Sequence, residues 1–158
     1  MISHQPNFLK DKDLKLIRDT ITLNTFPWYL IGVTDDNKYK MLSHTLYAEY
    51  KPCSPYSDLL LPVLDILKPL CIVRAKLNLY FRTENIIKYP FHVDNDSPKC
   101  KTAIIYLNDN DGYTEVGGEK IQSQSNYMVK FNSNESHTGT NCTDKDYRIL
   151  LNFVYVEN

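Results

Sequence analysis

The chain is 158 residues long, 42% hydrophobic and 12% aromatic, with a formal net charge of −1. These values describe a folded domain large enough for its own core and exclude a disordered chain. The near-neutral balance excludes a general nucleic-acid or membrane surface built on net charge, and no apolar run approaches the length of a membrane span.

The start, Met1-Ile2-Ser3-His4-Gln5-Pro6, lacks the basic-then-apolar pattern of a leader, so a soluble, cytoplasmic protein is expected. Cys53, Cys71, Cys100 and Cys142 are scattered without a Cys-X-X-Cys pair, which predicts reduced thiols. Leu14, Ile17 and Ile21 fall at i, i+3 and i+7 between charged residues and predict a helix over residues 10–21. Pro27 bounds it; residues 28–33 read as a strand, Thr34-Asp35-Asp36-Asn37 as a turn, and residues 41–50 as a further strand. After the loop Pro52-Cys53-Ser54-Pro55, Ser57 is placed to cap a helix over residues 58–67, with Pro62 tolerated in its first turns.

From Cys71 the pattern switches to period two. Val73, Ala75, Leu77, Leu79 and Phe81 form one face, and Arg74, Lys76, Asn78, Tyr80 and Arg82 the other. Such a polar face ordinarily meets water, but in a barrel that holds a charged ligand it can line the pocket. Strand-like runs follow at 86–94, 102–108, 120–122, 127–131 and 148–156, separated by turn-forming clusters such as Asn95-Asp96-Ser97-Pro98 and Gly117-Gly118. Many short strands preceded by helices predict a mainly β fold with flanking helices, a double-stranded β-helix of the jelly-roll or cupin-like kind. One domain over residues 1–158 is expected, with helical support over about 1–70 and a jelly-roll core over about 71–158.

The chemistry concentrates in Tyr89-Pro90-Phe91-His92-Val93-Asp94-Asn95-Asp96. Residues i and i+2 of an extended strand share a face, so His92 and Asp94 can present a nitrogen and an oxygen to one point. His-X-Asp alone is common on solvated strands. The order His-X-Asp, then His137, then Arg148 eleven residues further on is more specific. Two histidines and one carboxylate form the facial triad of non-haem Fe(II) sites, with positions left open on the metal.

On these residues, with Ile105-Tyr106-Leu107-Asn108 and Gly117-Gly118-Glu119 between them, the chain resembles the 2-oxoglutarate- and Fe(II)-dependent dioxygenases, in particular the prolyl 4-hydroxylase-like branch. The match runs from about Arg74 to the C-terminus. The resemblance implies Fe(II) held by His92, Asp94 and His137, with 2-oxoglutarate and O2 as co-substrates. It implies a hydroxylase that releases succinate and CO2. Arg148 corresponds to the cation that holds the far carboxylate of 2-oxoglutarate, a role suited to its bidentate fork. Tyr106, and with them Tyr80 and Asn78 on the preceding strand, are further candidates for the co-substrate. His4 and His44 fall outside the motif and are expected at the surface, and Asp96 in a turn.

The implied partners are the small-molecule co-substrate and a substrate that is either a prolyl residue of a peptide or protein or a small metabolite; no nucleic acid and no membrane is implied. Two features depart from the collagen and hypoxia-type enzymes. No helix is expected after the Arg148 strand to close over a peptide, and collagen-type members carry lysine in place of Arg148. Two other classes remain open: a non-catalytic jelly-roll module, of structural or binding kind, with incidental histidines, and a cupin-like protein holding another divalent metal.

Overall fold

The alternation that begins at Cys71 becomes an interior strand of a large antiparallel sheet. The computed structural model describes residues 1–33 and 38–158; the turn expected at 34–37 lies outside the described residues. In chain order the strands are β1 (Ser3–Gln5), β2 (Tyr29–Gly32), β3 (Lys40–Ala48), β4 (Lys51–Pro52), β5 (Cys71–Phe81), β6 (Cys100–Tyr106), β7 (Tyr113–Val116), β8 (Glu119–Gln122), β9 (Tyr127–Asn132), β10 (His137–Gly139) and β11 (Tyr147–Val156). Helix α1 (Asp11–Ile21) precedes β2, and α2 (Leu61–Leu67) precedes β5. The large sheet runs β1-β9-β6-β11-β5-β3-β2 with β4 on β3, and a small sheet runs β10-β7-β8.

Period two on the central strands divides them between two cores. One face carries Leu77, Ile105, Leu151 and Phe153, which pack with Ile17 and Ile21 of α1 and Val63 of α2. The opposite face carries Tyr80, Ile104, Tyr106, Val129, Phe131 and Leu150, which meet Val116 and Ile121 of the small sheet. This is the expected architecture, mainly β with helices on the outside. The segment before residue 71, expected as helical support, also gives β2, β3 and β4 to one side of the large sheet and β1 to its far edge.

Helix α1 follows its expected range. Asp11 and Asp13 in its first turn and Arg18 in its last complement the helix dipole, and its buried residues are Ile17 and Ile21. The second helix starts later than expected. Residues Ser57–Leu60 form a 3-10 turn, and α2 begins only at Leu61. Ser57 does not cap it; its hydroxyl donates to the Ser54 carbonyl. Pro62 lies in the first turn, where a missing N–H costs no hydrogen bond, and so marks where the α-helix starts. Lys68, left-handed at φ 44°, ends it.

The run 86–94, expected as a strand, is not one. It touches the small sheet through two isolated bridges, Lys88↔Thr140 and His92↔His137. Strands β1, β4, β7 and β10, two to four residues long, were not expected.

Phe153 is 0% exposed on the helix-facing side. Phe153→Ala is expected to cost about 3–5 kcal/mol in urea unfolding, since the helices cannot fully collapse onto the void. A loss below about 1 kcal/mol would mean that this face does not form the main core.

Candidate functional site

The second face of the large sheet walls a cavity of about 790 Å³ between the two sheets. Arg74, Lys76, Asn78 and Tyr80 of β5 line it, with Arg148, Leu150 and Asn152 of β11 opposite them in register. The polar face of β5 therefore meets an internal cavity rather than bulk water. Arg82 does not take part: it is exposed at the strand's end, 3.7 Å from Asp146.

His92, Asp94 and His137 converge on this cavity. One donor atom from each lies within 4.8 Å of the others. A pair of backbone hydrogen bonds, each 2.9 Å, ties His92 to His137 and brings their rings to 4.5 Å between centroids. The Asp94 N–H donates to the Ser133 carbonyl at 3.0 Å, which fixes the carboxylate beside them. The convergence thus comes from bridging to the small sheet, not from a regular strand through His-X-Asp.

His137 is 2% exposed, and its Nδ1 lies 3.0 Å from the Glu135 carbonyl. A carbonyl only accepts, so Nδ1 carries the proton and Nε2 presents a lone pair. That Nε2 is buried without a hydrogen-bond partner, 3.4 Å from Asp94 Oδ2. His92 Nδ1 lies 3.4 Å from the Pro90 carbonyl, a weaker version of the same arrangement. Burial, and then the neighbouring His137, hold the His92 imidazole below its usual range and so favour the neutral, ligating form. A buried orphan nitrogen beside a carboxylate and a neutral imidazole is a donor set that fits a divalent transition metal such as Fe(II).

Asp94 is held by three side chains. Arg74 Nη2 donates to Oδ1 at 2.6 Å, and Thr102 Oγ1 and Asn152 Nδ2 each donate to Oδ2 at 3.0 Å. Burial would raise this carboxyl, but an imidazolium at His137, the Arg74 guanidinium and the Asn152 amide outweigh it and hold it below the usual carboxylate range; the His137 share lapses when that ring is neutral and ligating. Such outer contacts orient metal ligands.

Arg148 is 0% exposed. Nε donates to Ser123 Oγ at 2.7 Å, Nη1 to the Thr140 carbonyl at 3.0 Å and Nη2 to Thr114 Oγ1 at 3.0 Å. Tyr80 and Tyr106 flank the guanidinium at 5.6 and 5.5 Å. Among the described residues no carboxylate pairs with it. Three of the five N–H donors of the guanidinium make these hydrogen bonds, and the side chain lines the cavity.

Tyr80 and Asn78 line the cavity, whereas Tyr106 is fully buried behind Arg148 with its hydroxyl 3.4 Å from the Ile121 carbonyl. Burial raises the Tyr106 and Tyr80 phenols, against the pull of Arg148, so both remain neutral donors. His44 is not at the surface. It is 3% exposed, between the Pro27 carbonyl and Ser54 Oγ at 2.6 Å each. His4 is exposed, 3.3 Å from Glu119.

No protein-family model matches the chain, and neither does any curated protein. Solved structures do. An oxidoreductase of the 2OG-Fe(II) oxygenase family from Burkholderia pseudomallei superposes at a TM-score of 0.72 with 13% identity, over 99% of this chain and 86% of that one. A Pseudomonas putida prolyl-4-hydroxylase gives 0.67 and 17%, over 99% and 92%. A Trichoplax adhaerens prolyl hydroxylase, solved with a hypoxia-inducible-factor peptide fragment, gives 0.69 and 14%, over 99% and 83%. The chain has the fold of the 2-oxoglutarate/Fe(II) oxygenases.

Within this oxygenase fold, Arg74, Thr102 and Asn152 were not predicted as site residues. Asn152 interrupts an otherwise apolar run, and Arg74 opens the polar face of β5; those were their only signals. Ser123, Thr114 and Thr140 carried none, since their role depends on where Arg148 folds.

Gly112 sits against this cluster. A Cβ there would lie 2.3 Å from the Asn141 carbonyl oxygen and 2.6 Å from Arg148 Cδ. Gly112→Ala is therefore expected to cost about 1–3 kcal/mol and to displace Arg148. Equilibrium unfolding would measure the loss, and unchanged stability would show that the backbone yields there freely.

No helix among the described residues is long and apolar enough to cross a membrane.

Proposed function

We propose that the protein is a 2-oxoglutarate- and Fe(II)-dependent dioxygenase that hydroxylates its substrate. His92, Asp94 and His137 would hold the metal. When bound, Fe(II) with 2-oxoglutarate and O2 supplies the oxidation, with release of succinate and CO2.

One observation carries this reading. A fully buried guanidinium on the wall of the metal-ligand cavity is hydrogen-bonded only to neutral groups and has no carboxylate partner among the described residues. A buried cation without a counter-charge is costly, and a carboxylate is the partner that a guanidinium takes best. Its place on the cavity that His92, Asp94 and His137 line favours a co-substrate site over a cupin-like metal site or a non-catalytic jelly roll.

The chain's own residues have definite tasks. Arg148 binds and orients the far carboxylate, while Ser123, Thr114 and the Thr140 carbonyl fix the guanidinium plane. Arg74, Asn152 and Thr102 aim the Asp94 carboxylate. Tyr80 and Asn78 contribute polar groups to the wall. The apolar residues Ile104 and Leu150 exclude water between the two ends. Fold relatives that act on prolyl groups make a prolyl residue one substrate class and a small metabolite the other.

The test is succinate release from 2-oxoglutarate by the Fe(II)-loaded protein in air. Slow oxygen-dependent release that stops on chelation is expected; none under any substrate tried would contradict the reading.

A further inference from the structure

The cavity holds more positive charge than the co-substrate needs. Three cations line it, Arg74, Lys76 and Arg148, against one carboxylate, Asp94. Fe(II) and the 2-oxoglutarate dianion carry equal and opposite charges, so loading both leaves that excess in place. Arg74 is committed, with Nη2 2.6 Å from Asp94 Oδ1 and 3.2 Å from Asn152 Oδ1. Arg148 is committed to the co-substrate in the reading above. Lys76 is left over.

Lys76 is half-buried on the cavity wall, and among the described residues it has no hydrogen bond or ion pair. Its cross-strand partners are Asn152 on β11 and Thr45 on β3, both neutral. The Asn152 amide is already engaged at both ends, by Arg74 and by Asp94. Tyr80, which pairs with Arg148, is four residues further along β5. That is about 13 Å of strand, so Lys76 stands well apart from the arginine. Burial, and then the Arg74 guanidinium, bring the Lys76 ammonium down to about 8 against the pull of Asp94. The site is short of negative charge at this point.

We propose that Lys76 anchors an anionic group of the substrate that is oxidised, so that the enzyme acts on a small carboxylic acid rather than on a neutral prolyl peptide. This rests on the dioxygenase reading. The ammonium supplies charge-assisted donors inside the cavity, where a peptide backbone has no charge to offer. Lys76 is thus a specificity residue, and its partner is a carboxylate on the substrate itself.

The test uses Zn(II)-loaded protein saturated with 2-oxoglutarate, which binds without turnover. The probes are free L-amino acids and straight-chain monocarboxylates from propanoate to hexanoate, each with its primary amide, titrated by calorimetry. At least one acid is expected to bind about tenfold or more tightly than its amide, the worth of one charge-assisted contact. Lys76→Met should erase that difference, Lys76→Arg should restore part of it, and 2-oxoglutarate affinity should be the same in all three proteins. The proposal is overturned if no acid outbinds its amide, or if the difference survives in Lys76→Met. It is equally overturned if Lys76→Met weakens 2-oxoglutarate itself, which would place Lys76 in the co-substrate site. Failure of wild type to bind 2-oxoglutarate, read before any acid is added, would sink the dioxygenase reading and this proposal with it.

Discussion

Arg148→Ala is expected to weaken 2-oxoglutarate binding to the metal-loaded protein by about 30-fold or more, the cost of removing a charge-assisted bidentate contact from a buried partner, roughly 2–5 kcal/mol. Metal affinity should change little, because Arg148 touches none of His92, Asp94 and His137 among its hydrogen-bond partners. The variant will also be less stable. Ser123 and Thr114 lose their donor, and a fully buried side chain leaves a void between Tyr80 and Tyr106. Arg148→Lys separates the two effects. It keeps the charge and much of the volume but loses the planar fork, so it should recover part of the affinity. Calorimetric titration with thermal melting of each variant measures both. Unchanged 2-oxoglutarate affinity in a folded Arg148→Ala protein would mean that the carboxylate is held elsewhere.

Asp94→Ala is expected to abolish turnover and to lower metal affinity by more than about 100-fold. Removing an outer contact of a metal ligand costs about 10–100-fold, and removing the ligand costs more. The stability effect is less obvious from the sequence. A carboxylate at a pocket looks dispensable to the fold, but the Asp94 side chain is only 4% exposed and paired to Arg74. Breaking a buried ion pair from one side costs about 3–5 kcal/mol. The Arg74 side chain is 30% exposed, so solvent screens the charge left behind and the loss should fall below that range. Asp94→Asn, similar in shape but neutral, should melt closer to wild type while still losing the metal. Metal titration and thermal melting on the same samples check this. Retained iron binding in Asp94→Ala would remove the carboxylate from the site.

The sheet and the four candidate site residues were legible in the sequence because each had a periodic or positional signal. Eleven residues of strict alternation made β5 plain, and its polar face placed Lys76, Asn78 and Tyr80 on the cavity. His92, Asp94, His137 and Arg148 were legible as an order of residue types. What brings them together was not. The His92–His137 bridge joins a loop to a three-residue strand, and neither has a period to read. His44 shows the opposite failure. A lone histidine in a strand of mixed pattern reads as exposed, yet its two nitrogens are satisfied by groups far along the chain, Pro27 and Ser54, which made its burial possible. Tyr106 had the right neighbours in sequence, but the fold buries it behind Arg148, where it packs against the guanidinium rather than facing the cavity. The Arg74–Asp94 pair was invisible because it spans twenty residues and two elements of different kind.

The most direct test of the account is calorimetric titration of 2-oxoglutarate into wild-type protein with and without a divalent metal at His92, Asp94 and His137. A co-substrate held between the metal and Arg148 predicts that binding appears with one-to-one stoichiometry only when the metal is present, since the two would hold opposite ends of the same molecule. Equal affinity with and without metal, or no binding in either state, would contradict it.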